Sequence, residues 1–106
     1  MNRHIVNLAR LGVGLGILLG ARTALADLEL AQASGCLVCH NVETGIVGPA
    51  WKDVAAKYKG DASAQATLSA KVKAGGAGNW GQVPMPPNVA VSDENIQKLV
   101  AWILTL

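Results

Sequence analysis

The sequence predicts an all-α fold of four or five short helices in a single domain of at most 106 residues. Helix start and stop signals alternate along the chain, and the last segment carries an apolar stripe at positions i, i+3, i+4 and i+7. No stretch shows the strict alternation of a half-buried strand. The chain has no Phe and only 4% aromatic residues, so helices this short need a large apolar group to complete their core.

The first 26 residues have the pattern of a cleaved signal peptide. Arg3 and Arg10 form a positively charged start, residues 11–21 are apolar, and a small-x-small pattern ends at Ala26, where we expect the cut. A helix over the apolar run would be only about 16 Å long, roughly half of the hydrocarbon core, which disfavours an uncleaved anchor. Residues 27–106 are therefore the predicted mature domain.

Cleavage of the signal peptide changes the net charge of the protein, and the net charge indicates which kinds of partner it can bind. The whole chain has nine Lys and Arg against seven acids, but all three arginines precede the predicted cut. The mature domain keeps six lysines and seven acids, a formal charge of −1. The mature domain is nearly neutral and has no basic patch in its sequence, which argues against nucleic-acid binding. We expect no stable membrane insertion after cleavage, and a monomer.

The mature domain contains four helical segments with recognisable ends. The predicted helices cover residues 28–34, residues 49 or 50 to 58, residues 61 or 63 to about 73, and a last segment that begins after residue 92. The apolar stripe of that last helix consists of Ile96, Leu99, Val100 and Ile103. Gly35 and Gly60 end the first two helices, and Ser92 is the N-cap of the last. The glycine-rich segment 75–78 is predicted to be a flexible connection.

The segment Cys36-Leu37-Val38-Cys39-His40 has the C-x-x-C-H pattern of haem attachment. Two thiols three residues apart lie about one helical turn apart. Each can therefore add to one of the two haem vinyl groups and form a thioether. His40 then supplies the proximal iron ligand, and the predicted cofactor is one covalently bound haem c.

Three other interpretations of the cysteines remain open. A thioredoxin-like redox pair requires a surrounding βαβ pattern, which the sequence lacks. A structural zinc site requires four ligands, and the mature chain offers only Cys36, Cys39 and His40. A disulfide between the two cysteines would close so small a loop that it would add little stability. We favour haem attachment.

Met85 is the only methionine in the predicted mature domain, and prolines occupy positions 84, 86 and 87 around it. Methionine is most often core filler, but a filler methionine usually lies on a helix or strand face. A proline-stiffened loop can instead hold a thioether sulfur against a metal. We predict Met85 as the sixth iron ligand. Closed coordination excludes a substrate, so we predict no catalytic residues and an electron carrier rather than an enzyme.

These residues resemble the bacterial class I cytochromes c, in particular the short cytochrome c-551 (cytochrome c8) group. The resemblance extends over essentially the whole mature domain. It is based on residues 35–40, 47–58, 80–81, 83–88, 91–94 and 102. It implies the small class I cytochrome c fold wrapped around one covalent haem, with thioethers at Cys36 and Cys39 and with His40 and Met85 as axial ligands.

The resemblance also implies further contacts. The carbonyl of Pro49 would accept the Nδ1 proton of His40, Asn88 would donate to the sulfur of Met85, and Trp80 would hydrogen-bond a haem propionate. The chain departs from the group at several positions. Lys71 stands where many relatives have Arg, Gln82 where many have Pro, and residues 89–91 include one additional residue. Trp51 is expected to be an ordinary core residue.

The expected function is a periplasmic one-electron carrier. The resemblance suggests partners such as a cytochrome bc1 complex as donor and a cytochrome cd1 nitrite reductase or a terminal oxidase as acceptor. Such partners dock briefly over a small interface, and Lys52, Lys71 and Lys73 are candidates for steering them. The alternatives are a haem enzyme or gas sensor with a displaceable sixth ligand, and a thiol redox or metal-binding module without haem.

Overall fold

The computed structural model describes residues 23–106, and four α-helices and one short hairpin lie within this range. The helices are α1 (23–33), α2 (Trp51–Lys57), α3 (Ala64–Ala74) and α4 (Asp93–Ile103), with a 3-10 turn at Cys36–Val38 and strands β1 (Gly76–Gly78) and β2 (Gly81–Met85). The predicted all-α class with four or five helices is confirmed, and the number of helices in this range is four. Across residues 23–106, no helix has the length and apolar character needed to cross a bilayer.

The helix ends lie close to the predicted positions. Gly35 and Gly60 follow α1 and α2 with φ values of 79° and 78°, a left-handed conformation that ends a helix at little cost only in glycine. Ser92 caps α4, and its Oγ accepts the backbone N–H of Asn95 at 3.2 Å. The first helix is longer than predicted, since it already includes residue 23. Most of the predicted signal peptide lies outside the described residues.

The buried core is small and mostly aliphatic. It comprises Ala31, Trp51, Val54, Leu68, Ile96, Leu99, Val100 and Ile103. The last four form the predicted apolar stripe of α4, which packs against α2 and α3. Trp51 is only 3% exposed, as expected of a core residue, and its ring meets that of Trp102 edge to face at 5.5 Å.

The hairpin is a difference from the prediction, since the sequence indicated only a flexible connection followed by a stiff loop. Strands β1 and β2 pair antiparallel, with Gly76 opposite Met85 and Gly78 opposite Gly81. Pro84 is compatible with β2 because both strands of a two-stranded ribbon are edge strands. The hairpin brings the end of β2, and with it Met85, to the wall of an open cleft.

Candidate functional site

All four predicted haem-binding residues line one cleft. Cys36, Cys39 and His40 reach it from the 3-10 turn and the residues that follow, and Met85 reaches it from the end of β2. The cleft encloses about 1130 Å³ of space free of protein atoms, part of it open to solvent. The 3-10 turn, α2, α3, the hairpin and α4 all contribute to its lining, so a large planar group placed in the cleft would contact each of these elements.

The walls of the cleft are mainly apolar. They include Val47, Trp51, Val54, Leu68, Val72, Trp80, Val83, Leu99, Val100 and Ile103. Within the described chain, Lys71 is the only Lys, Arg, Asp or Glu that lines it. An apolar slot with one imidazole, one thioether and two thiols matches the chemistry of a c-type haem, whose macrocycle needs apolar contact and whose iron accepts nitrogen and sulfur. The residues therefore fit the predicted cofactor.

The two cysteines are held by a tight backbone turn. The N–H groups of Cys39 and His40 both donate to the carbonyl of Cys36, at 3.2 and 3.0 Å. Both thiols are free and partly buried. Burial raises the pKa of the Cys36 thiol above its ordinary value, its own backbone hydrogen bond lowers it, and repulsion from Cys39 raises it further. The free thiol of Cys36 is therefore neutral at neutral pH.

The orientation of His40 is set by three neighbours. Its Nδ1 lies 2.9 Å from the carbonyl oxygen of Pro49, as the family resemblance implies. A carbonyl can only accept, so Nδ1 carries the proton and Nε2 keeps the lone pair that a metal needs. The ring also stacks on Trp51, with centroids 5.5 Å apart and planes inclined by 20°. Gly48 lies so close to the ring that an added Cβ would be 2.5 Å from its Cε1.

The backbone around Met85 is anchored to α3. Asn88 donates to the carbonyl of Val72 through its backbone N–H at 3.2 Å and through Nδ2 at 3.0 Å. Gly75 packs directly on the Met85 carbonyl, where a Cβ would be 2.5 Å from the oxygen. These contacts fix the position of Met85, the last residue of β2.

Asn88 does not form the hydrogen bond to Met85 that the family resemblance implies. Its Nδ2 donates to the carbonyls of Val72 and Pro86, at 3.0 and 3.3 Å, rather than to the sulfur of Met85. A carbonyl oxygen is a stronger acceptor than a thioether sulfur, and two carbonyls lie within reach. Asn88 therefore supports Met85 through the backbone of the loop.

The three lysines proposed to steer partners lie in different surroundings. Lys52 forms an ion pair with Glu43 at 2.7 Å, and Lys73 forms one with Asp93 at 3.2 Å. Only Lys71 lines the cleft. A fourth lysine, Lys57, has no role predicted from the sequence, and its ammonium contacts the hairpin turn. No local signal could have found this contact, because the residues it joins are 22 positions apart.

Known proteins match the chain over nearly its whole described length. The profile of the family named Cytochrome c matches residues 28–106. Cytochrome c-551 of Allochromatium vinosum is 70% identical over 86 residues, which are 81% of this chain and 92% of that protein. Cytochrome c-551 of Pseudomonas aeruginosa is 48% identical and covers 85% of this chain and 86% of its own length. The crystal structure of Nitrosomonas europaea cytochrome c552 superposes with a TM-score of 0.73 at 53% identity, covering 74% of this chain and 98% of that one.

Proposed function

Because the chain belongs to the cytochrome c family, we propose that its haem is attached through Cys36 and Cys39 and that His40 and Met85 ligate the iron. The protein is an electron carrier with one covalently bound haem c and is not an enzyme. The observation that carries the proposed ligation is that four side chains from two separate segments line one apolar cleft. Two of them can form thioethers and two can donate to iron.

The bound haem supplies a one-electron Fe(II)/Fe(III) couple, and the chain's residues control its surroundings. The carbonyl of Pro49 holds Nδ1 of His40 by a hydrogen bond, which leaves Nε2 free to ligate the iron. Met85 offers a neutral, soft sulfur, which raises the reduction potential relative to a second histidine. The apolar walls limit the access of water and lower the local dielectric constant, which tunes the reduction potential.

Intact mass and an alkaline pyridine spectrum test this proposal on the purified protein. We expect the mass of residues 27–106 plus one haem, because we also propose cleavage after Ala26 and export to the periplasm. The pyridine spectrum is expected to show two thioether bonds, and the Cys39→Ala variant is expected to show one. A protein that carries no covalent haem would refute the proposed attachment, and an intact N terminus would refute the cleavage.

We also propose that redox partners dock over the mouth of the cleft through apolar contacts. Val83 and Trp80 line the cleft and are 66% and 43% exposed. Lys52 and Lys73 are already paired with acids, so their charges contribute little to steering. The partners we propose are a bc1-type complex as donor and a haem nitrite reductase or a terminal oxidase as acceptor.

The Val83→Asp substitution is expected to slow oxidation by a haem nitrite reductase at least about tenfold, since a buried unpaired charge at an interface costs more than 1.4 kcal/mol. Stopped-flow mixing of the reduced protein with the enzyme measures the bimolecular rate. Val89→Asp is the matched control, because Val89 is 75% exposed and does not line the cleft. Equal slowing by both substitutions would contradict docking at the mouth of the cleft.

A further inference from the structure

One ammonium group connects helix α2 to the turn of the hairpin. Nζ of Lys57, the last residue of α2, donates to the carbonyl of Asn79 at 3.1 Å. The same group lies 4.6 Å from the ring centroid of Trp80 and 5.7 Å from that of Tyr58. Asn79 and Trp80 are the two residues between β1 and β2. Lys57 therefore binds both residues of the turn at once.

Within residues 23–106, the helices contact the hairpin at few points. The strands pair mainly with each other, and their other side faces the cleft. Near its base the segment is held to α3, where Asn88 donates twice to the carbonyl of Val72. The turn at the opposite end is contacted by Lys57. The segment that carries Met85 is thus fastened at its base to α3 and at its tip to α2.

We propose that Lys57 is a positioning residue that keeps the hairpin closed and thereby slows the departure of the Met85 sulfur from the iron. The inference rests on the ligation by Met85 proposed above. Lifting the turn breaks a charge-assisted hydrogen bond and a cation–π contact together. Both contacts depend on the positive charge, so a residue with the same apolar stem and no ammonium would leave the turn free.

The test measures how fast an external ligand replaces Met85 in the ferric holoprotein. At saturating imidazole, the replacement rate equals the rate at which the methionine leaves. We expect Lys57→Met to increase this rate about fivefold to tenfold, because the variant loses the exposed hydrogen bond to Asn79 and the cation–π contact with Trp80. Lys57→Arg retains the charge and the donors and is expected to stay within about twofold of the wild type.

Lys59→Met is the matched control, because it removes the same charge two residues further along. Lys59 is exposed, and within residues 23–106 its ammonium makes no ion pair or hydrogen bond. We expect its replacement rate to equal that of the wild type. Equal rates for Lys57→Met and Lys59→Met would overturn the proposal, and so would a rate for Lys57→Arg as fast as that for Lys57→Met.

Amide hydrogen exchange separates this proposal from the ligation on which it rests. In Lys57→Met, the amides of β1 and β2 are expected to exchange faster while those of α4 keep the wild-type rate. Faster exchange in all elements would indicate general destabilisation and would overturn the proposal. A wild-type ferric spectrum without the Met–iron charge-transfer band would refute the ligation by Met85, whereas the exchange result still tests the contact between Lys57 and the turn.

Discussion

Replacing Met85 by leucine is expected to turn the carrier into a protein with an open iron site. Leucine has nearly the same volume and no sulfur, so the hairpin keeps its packing while the sixth ligand is lost. The reduction potential is expected to fall by at least about 0.1 V, out of the roughly 0.8 V range that axial ligands cover. Potentiometric titration measures this change, and the ferric spectrum is expected to lose the Met–iron band.

The same Met85→Leu variant is expected to bind cyanide and carbon monoxide rapidly, whereas the wild type, with the coordination proposed above, is expected to bind them slowly. Val83→Leu is the control, because it lies on the same strand and its side chain cannot ligate iron in either form. An unchanged potential and an unchanged Met–iron band in Met85→Leu would show that another group holds the sixth position. The alternative of a gas sensor with a displaceable ligand would gain support if the wild type bound carbon monoxide as fast as the variant.

Replacing Gly48 by alanine is expected to displace the ring of His40, the proposed proximal ligand. An added Cβ would lie 2.5 Å from Cε1, 2.9 Å from Nδ1 and 3.0 Å from Nε2 of His40. The ring cannot easily give way, because Pro49 holds one side of it through a 2.9 Å hydrogen bond and Trp51 stacks on its face. We expect the holoprotein to lose about 1–3 kcal/mol of stability, the usual cost of overpacking, as measured by denaturant unfolding.

Gly45→Ala controls for the change in backbone freedom. Gly45 and Gly48 both have ordinary φ values, so neither alanine is strained by its backbone conformation. Apart from its two neighbours in the chain, a Cβ at Gly45 would come no closer than 3.6 Å to another atom, which is an ordinary contact. We expect this variant to unfold within about 0.5 kcal/mol of the wild type. Equal losses for the two variants would show that contact with His40 is not what makes Gly48 necessary.

Elements with strong local signals were predicted well. Helix α4 begins one residue after its predicted cap, and the predicted stripe Ile96, Leu99, Val100 and Ile103 is the part of α4 that is buried. Such elements are readable because capping and 3.6-residue periodicity act between neighbours along the chain. The hairpin was missed because β1 consists of Gly and Ala alone, and these residues leave no alternating pattern.

Contacts between distant residues could not be predicted in the same way. Asn88 was expected to donate to the sulfur of Met85, but two carbonyls compete for its Nδ2 hydrogens. Whether a lysine steers a partner depends on the acid beside it, and Glu43 neutralises Lys52 in a way that the sequence does not reveal. In each case the outcome depends on which groups come within about 3 Å of one another after folding.

The proposed chemistry of the site was predicted from local sequence, since the C-x-x-C-H motif and the methionine between prolines at position 85 each span only a few residues. The arrangement of the site cannot be read in this way. It depends on how separate segments of the chain pack together. This packing leaves no room for a side chain at Gly48 beside His40, and it brings Lys57 to the turn of the hairpin. Close packing admits only the side chains that fit the neighbours present, and those neighbours are assembled only when the chain has folded.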